Sequence, residues 1–200
     1  MTYSDELKVC WFTPQRTATR TTHTLLRQLG FISLGTHVFN FPKERYDYRL
    51  ISNIRNPYSR LVSTFFLYSL HKKRFDIDFK KWCDYVLNDE KFAIDYQLKY
   101  HIQIKSVGRN FDNFIRVESY AEDLKKLDFI DLTNPEIKDV WDNNILKNGY
   151  THEFKSIQTE DKKTWYDFYD EEIADSVFSK LEEQFDFFGY EKNSWKNGTP

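Results

Sequence analysis

The chain has no glycine before Gly30 and only six in all. A Gly-rich phosphate loop of the G-x-x-x-x-G-K-[ST] kind therefore has no place in the N-terminal segment. With it goes the Lys-Ser/Thr pair that serves magnesium and a nucleoside triphosphate. Cysteine is nearly as scarce. Cys10 and Cys83, with no Cys-x-x-Cys pairing, are too few for a disulfide framework or a zinc site, and each falls where a small buried hydrophobe is expected. No metal is expected. No apolar run approaches the roughly 20 residues of a membrane-spanning helix. The opening stretch "MTYSDELKVC" has neither the basic nor the apolar region of a signal peptide, so the expectation is a soluble, cytoplasmic protein. Linkers rich in Pro or Gly, internal repeats and low-complexity tracts are missing as well. That leaves one domain over residues 1–200, with enough chain for a sizeable core.

What the chain does have is aromatic residues and an uneven charge. Hydrophobic residues make up 40 % and aromatics 18 %, mostly Phe and Tyr, which points to a large aromatic core and away from disorder. The net charge of −2 is the sum of two unlike parts. Residues 1–75 hold twelve Lys and Arg against four Asp and Glu; residues 76–200 hold seventeen against twenty-seven. Eight of the ten arginines lie in the first part. Arg offers a planar fork matched to phosphate and sulfate oxygens, so the enrichment points to a localised anion site. A long nucleic-acid surface is a poor fit to so acidic a whole. The residues leave the oligomeric state open.

Hydrophobic periodicity gives an α/β order. Strands are expected at "KVCWFT" (8–13), "FISLGT" (31–36), "YRLISNI" (48–54) and "NFIRVES" (113–119). A helix is expected from about Ala18 to Leu29, with Gly30 as its stop. A second opens at Asn56-Pro57, with Asn as cap and Pro at the first helical position. A third covers 78–88 with Phe79, Trp82, Cys83, Val86 and Leu87 on one side. Ser119 and Glu122 form a capping box for a helix to Leu127. Asn134-Pro135 repeats the cap-and-proline signal. Asp170 opens the last long helix, with Ile173, Val177, Leu181 and Phe185 spaced four apart. Such alternation implies a central parallel sheet flanked by helices.

Two Arg-rich stretches fall where a strand gives way to a helix, which is where α/β proteins hold anions. In "TPQRTATRTTHTLL" (13–26), Arg16 and Arg20 supply charge and Thr17, Thr19 and Thr21 supply hydroxyls; taken alone, this equally fits an ordinary polar helix start. In "ISNIRNPYSRLVSTFF" (51–66), Arg55 ends the strand, and Ser63 follows eight residues later on the helix, a spacing that lets both meet one phosphate near the helix start.

"IRNPYSRLVSTFF" resembles the 3′-phosphate motif of the PAPS-dependent sulfotransferases, enzymes that use 3′-phosphoadenosine-5′-phosphosulfate; Arg55 and Ser63 match its Arg and Ser. "PQRTATRTT" is similar to that family's 5′-phosphosulfate loop, P-K-[ST]-G-[ST]-[ST]-[ST]. Arg16 stands for the Lys, Thr17 and Thr19 match, Ala18 replaces the Gly, Arg20 replaces a hydroxyl residue, and Thr21 follows. "IRVESYAEDLKKL" (115–127) resembles the family's strand with a Glu and the helix after it. "KKTWYDFYDEEIADSVFSKLEEQFDFFGY" (162–190) resembles the C-terminal part of carbohydrate-type members. The resemblance spans most of the chain. It implies a P-loop-like three-layer fold and transfer of a sulfuryl group from PAPS to an acceptor hydroxyl, on a carbohydrate. The product is PAP, and the cofactor contacts fall at Arg16, Thr17, Ala18, Thr19, Arg20, Thr21, Arg55 and Ser63.

Arg16 in place of Lys keeps the charge but cannot donate a proton, and Ala18 demands a loop conformation that a non-Gly residue tolerates. The expected proton acceptor is His37, after the second strand, at the sheet edge that faces the loops. An ordinary imidazole titrates near pH 6.5, which suits a base at neutral pH. His23, His71, His101 and His152 are the other histidines; Trp11, Tyr46, Tyr48 and Trp165 fit the core better than a stacking platform, and Lys162 and Lys163 a solvated pair. Two other functions are weighed: a non-catalytic phosphoadenosine-binding module, which Arg16 and Ala18 would suit, and a P-loop-like nucleotide kinase, for which no Gly-rich loop with Lys-Ser/Thr is present.

Overall fold

The computed structural model describes residues 1–35, 37, 41–71, 77–95, 97–147 and 164–197. The side chain of His71, together with His152, Lys162 and Lys163, lies outside them. The chain divides into two compact units: an α/β unit of Met1–Arg55 and Ile102–Tyr150, and a helical unit of Asn56–His101 and Thr151–Pro200.

The α/β unit is built on a five-stranded mixed sheet, in the order β3-β1-β2-β4-β5. Its strands are β1 (Thr2–Ser4), β2 (Val9–Phe12), β3 (Ile32–Ser33), β4 (Arg49–Ile54) and β5 (Asn113–Arg116). β2, β4 and β5 are parallel, with Trp11 opposite Ile51 and Ile51 opposite Asn113. The expected all-parallel sheet is corrected at its other edge. β1 pairs antiparallel with both β2 and β3, so it lies between them running the opposite way. The turn that makes this hairpin, Asp5–Lys8, carries none of the Gly or Asn-Gly residues that normally announce one. Lys8 instead takes a left-handed φ of 51°, and the Leu7 N–H donates to Ser4 Oγ at 3.2 Å. The second expected strand shrinks to two exposed residues. Two reversals restore its direction, so the ends of β3 and β2 open on the same edge of the sheet.

Alternation along β2 separates two cores. Val9 and Trp11 pack with Ile51 and Ile115 against residues of α1 (Thr19–Gln28), α6 (Tyr120–Lys125) and α7 (Pro135–Val140). Cys10, Phe12 and Leu50 face the other side, with Phe41, Tyr48, Val107 and Phe111 around them. Burial pushes the Cys10 thiol up to about 11, so it stays protonated as an inert hydrophobe. α1 ends as expected: Gly30 has φ 74°, its N–H bonds the Arg27 carbonyl and the Phe31 N–H bonds that of Leu26. α7 opens on Asn134, whose side chain accepts from the Glu136 and Ile137 N–H groups, and runs on as a π-helical segment, Trp141–Leu146.

The Ser119–Glu122 capping box does not form. Ser119 Oγ donates instead to Asp123 at 3.0 Å, while Glu122 turns outward to Lys125. Asp123, one residue further along, also accepts from the Arg116 N–H at 2.9 Å and Lys126 Nζ at 2.7 Å. Burial alone would raise this carboxyl; the Lys126, Arg116 and Ser119 donors outweigh it and hold it below the ordinary value of 3.8. A depressed carboxylate stabilises the fold above its unfolded pKa, and that contribution is lost as pH falls through the folded value. Asp123→Asn is accordingly expected to lower the melting temperature near neutral pH and to flatten its fall below pH 4. A parallel fall in both proteins would remove Asp123 from the acid response.

The helical unit holds α2 (Pro57–Phe65), α3 (Phe79–Asn88), α4 (Glu90–Asp95), the start of α5 (Tyr100–Ser106), α8 (Glu171–Phe188) and α9 (Ser194–Asn197). α2 continues into a π-helical segment, Phe66–His71. The caps read from sequence are present at Asn56, which accepts from Tyr58 N, and at Asp170, which accepts from Ile173 N; Asp78, not read as a cap from the sequence, accepts from Lys81 N at the start of α3. Ile173, Val177, Leu181 and Phe185 are all buried. Phe65, Phe79 and Trp82 form an aromatic cluster, with ring centroids 5.4–6.1 Å apart. Arg60 is spent here. It is 2 % exposed, donates to the Gln97 carbonyl at 2.6 Å and lies over the Tyr100 ring at 4.4 Å. His101 is buried between the side chains of Gln184 and Glu183, each 3.3 Å away.

Candidate anion site at the sheet edge

β2 ends at Phe12, and the chain turns through Thr13–Ala18 into α1. The turn is tight because two of its residues are left-handed, Arg16 at φ 63° and Ala18 at φ 60°. Ala18 occupies the position where the resembling family carries Gly, and it adopts the backbone that Gly would favour. A non-Gly residue there costs of order 1 kcal/mol. His37, with φ 61°, is the third such residue at this edge; the described residues hold five in all.

Hydroxyl groups close the turn from within. Thr17 Oγ1 and Thr19 Oγ1 both donate to the Pro14 carbonyl, at 2.7 and 3.1 Å. Their protons are thereby committed to the loop's own backbone, the local bonding that Thr offers in turns. Arg20 is exposed on the first turn of α1 and Thr21 is half-buried. That first turn carries no acidic residue, so the N–H groups that a helix start leaves without intrahelical partners meet no carboxylate of their own turn. Arg16 is half-buried.

The end of β4 reaches the same loop. Arg55 is 9 % exposed and its Nη1 donates to the Arg16 carbonyl at 3.3 Å. One of the two arginines thus steadies the backbone that carries the other. Ser63, the second half of the expected phosphate pair, is buried on α2 in the helical unit. His37 comes to the edge from β3, and its Nδ1 lies 2.9 Å from the Thr13 carbonyl. Thr13 Oγ1 is 3.2 Å from Nε2 of His23, on α1.

Beneath the loop is a buried polar cluster that the sequence reading does not anticipate. Asn53 Nδ2 donates to the Thr17 carbonyl and to Thr22 Oγ1, each at 2.6 Å, and Asn53 Oδ1 accepts from Trp11 Nε1 at 2.8 Å. Thr22 Oγ1 also pairs with the Tyr120 hydroxyl at 2.6 Å and donates to the Ala18 carbonyl. Burial pushes the Tyr120 phenol well up, so it keeps its proton. The signal for this cluster was a lone Asn inside the apolar run "LISNI". Trp11 and Trp165 are core residues, each at most 1 % exposed. Tyr48 donates to Asp5 at 2.7 Å, and Tyr46 is exposed.

Among the described residues, no group of three or more His, Cys, Asp or Glu is placed to hold a metal ion, and no helix is long and apolar enough to cross a membrane. No family model matches the chain, and no curated protein or solved structure matches it significantly.

Proposed function

We propose that the chain is a PAPS-dependent sulfotransferase of P-loop-like, three-layer α/β fold, moving a sulfuryl group from PAPS to an acceptor hydroxyl on a carbohydrate. The observation that carries this reading is the bond from Arg55 to the Arg16 carbonyl. It ties the strand-end arginine of one resembling motif to the loop of the other, as a ligand with two anionic ends requires. The three left-handed residues at the same edge support it, since backbone strain concentrates at functional sites.

In the proposed reaction the acceptor oxygen attacks sulfur in line. The new O–S bond forms as the bond from sulfur to the phosphate oxygen breaks, and PAP leaves. The nearest template is phosphoryl transfer, where catalysis is mainly positioning and charge stabilisation. Arg16, Arg20 and the N–H groups at the start of α1 neutralise charge gathering on the leaving phosphate. His37 takes the proton from the acceptor hydroxyl. The non-catalytic phosphoadenosine-binding module is the second reading. The commitment of the Thr17 and Thr19 protons to Pro14 favours it, and turnover of PAPS separates the two.

PAP should raise the melting temperature at concentrations where AMP, which lacks the 3′-phosphate, does little, with or without EDTA. Arg55→Ala should weaken PAP binding by about 2 kcal/mol, as expected for losing a hydrogen bond to a charged group, and Ser63→Ala by about 1 kcal/mol. Equal stabilisation by AMP, dependence on magnesium, or unchanged PAP binding in both variants would remove the reading.

A further inference from the structure

Thr13 is bonded to two histidines from two different elements. Its carbonyl faces Nδ1 of His37 and its hydroxyl faces Nε2 of His23. A carbonyl oxygen has no proton to give, so His37 Nδ1 is the donor, and the neutral ring then carries its lone pair on Nε2. The hydroxyl is not so limited. It can donate to Nε2 of a neutral His23 or accept from a charged one, and so it adapts to the ring it meets.

We propose that Thr13 is a positioning residue that makes Nε2 of His37, rather than the ring of His23, the first proton acceptor at this edge of the sheet. Thr13 fixes the tautomer through its carbonyl. His23 stays neutral while His37 takes up a proton, because two charged imidazoles held by one residue repel each other and the pair loads in sequence. The surroundings decide the order. Burial lowers the His23 pKa below the usual 6.5, and the amino group of Met1, His37 and Arg27 all push it the same way. His23 has the Thr13 hydroxyl as a partner in its neutral form, whereas protonating it would place a charge near Arg27 and near the Met1 amino group, whose own pKa burial lowers to about 6. The identity of the substrate that surrenders the proton rests on the sulfuryl-transfer reading; the tautomer and the order of loading do not.

Nitrogen-15 NMR of the histidine rings in the whole chain, followed through a pH titration, tests this. His37 is expected as the Nδ1–H tautomer at neutral pH, with a midpoint above that of His23. In His37→Gln the midpoint of His23 should rise by at least a few tenths of a pH unit, because the neighbouring charge is gone. In His23→Gln the midpoint of His37 should barely move, since His23 is neutral while His37 titrates. That asymmetry separates ordered loading from simple packing, which would predict no shift in either. An Nε2–H tautomer at His37, a His23 midpoint above that of His37, or an unmoved His23 in His37→Gln would overturn the proposal. The PAP and AMP comparison answers separately for the cofactor.

Discussion

His37→Ala is expected to bind PAP as the parent does and to lose a factor of about 10²–10⁴ in turnover, the span that a positioned base contributes. The asymmetry follows from where a base acts. It meets the acceptor proton in the transition state and has no charge to offer the phosphates in the ground state. Its Nδ1 lies on the Thr13 carbonyl, a backbone group that truncation of the side chain leaves in place. The parent's rate should rise with pH through the histidine midpoint, and the variant should lose that limb. Arg16→Ala gives the contrast: in the proposed reaction its charge would meet the bound cofactor as well as the transition state, so affinity and rate should fall together. Release of PAP from PAPS in the presence of carbohydrate acceptors measures all three proteins. Near-parental turnover in His37→Ala would send the search for the base elsewhere.

Asn53→Ala is expected to be the most destabilising of the substitutions considered, by about 3 kcal/mol or more. Truncation removes three contacts at once and leaves Trp11 Nε1 and the Thr17 carbonyl buried without this partner. Each such group costs about 1–3 kcal/mol when left unmade. The same substitution loosens the Thr13–Ala18 turn from below, so PAP affinity should fall even though Asn53 contributes no charge. Urea unfolding and PAP titration of one preparation measure both effects. Asn88→Ala, on the exposed side of α3, is the control and should change stability by less than about 0.5 kcal/mol. Similar losses for the two variants would mean that the buried cluster does not hold the loop.

The elements whose evidence is local were legible. α8 and α3 show a clean helical spacing, and Asn56, Asn134 and Asp170 announce helix starts with side chains that can reach only a few N–H groups. β1 was not legible, because three residues and a turn without Gly carry no periodic signal; only pairing with β2 and β3 makes them a strand. The exchange of Glu122 for Asp123 is a contest between neighbours. Both carboxylates can reach the Ser119 end of α6, and the buried one, with Arg116 N–H and Lys126 beside it, wins. At the site, the residue types were readable and their partners were not. Thr17 and Thr19 look like anion donors in a string of letters, and only the position of the Pro14 carbonyl shows where their protons go. Asn53 stands out as polar within a strand, yet nothing in the sequence says that it faces Thr17 rather than solvent.

The insertion of β1 has a consequence for how firmly the two sides of the site are held. Arg55 follows β4, whose Arg49–Ser52 pair with β2 and whose Ile51–Ile54 pair with β5. His37 follows β3, which joins the sheet by two residue pairs to β1, with the Leu34 N–H on the Met1 carbonyl beyond them. Amide protons exchange through local openings whose free energies range from near zero at lightly tied edges to the full unfolding free energy in a core. β4, in the middle of the sheet, is therefore expected to open only with it, while β3, at the edge, can part from it in a smaller event. In such an opening the strand that leads to His37 would part from β1 while the Thr13–Ala18 turn and Arg55 stay held between β2 and β4.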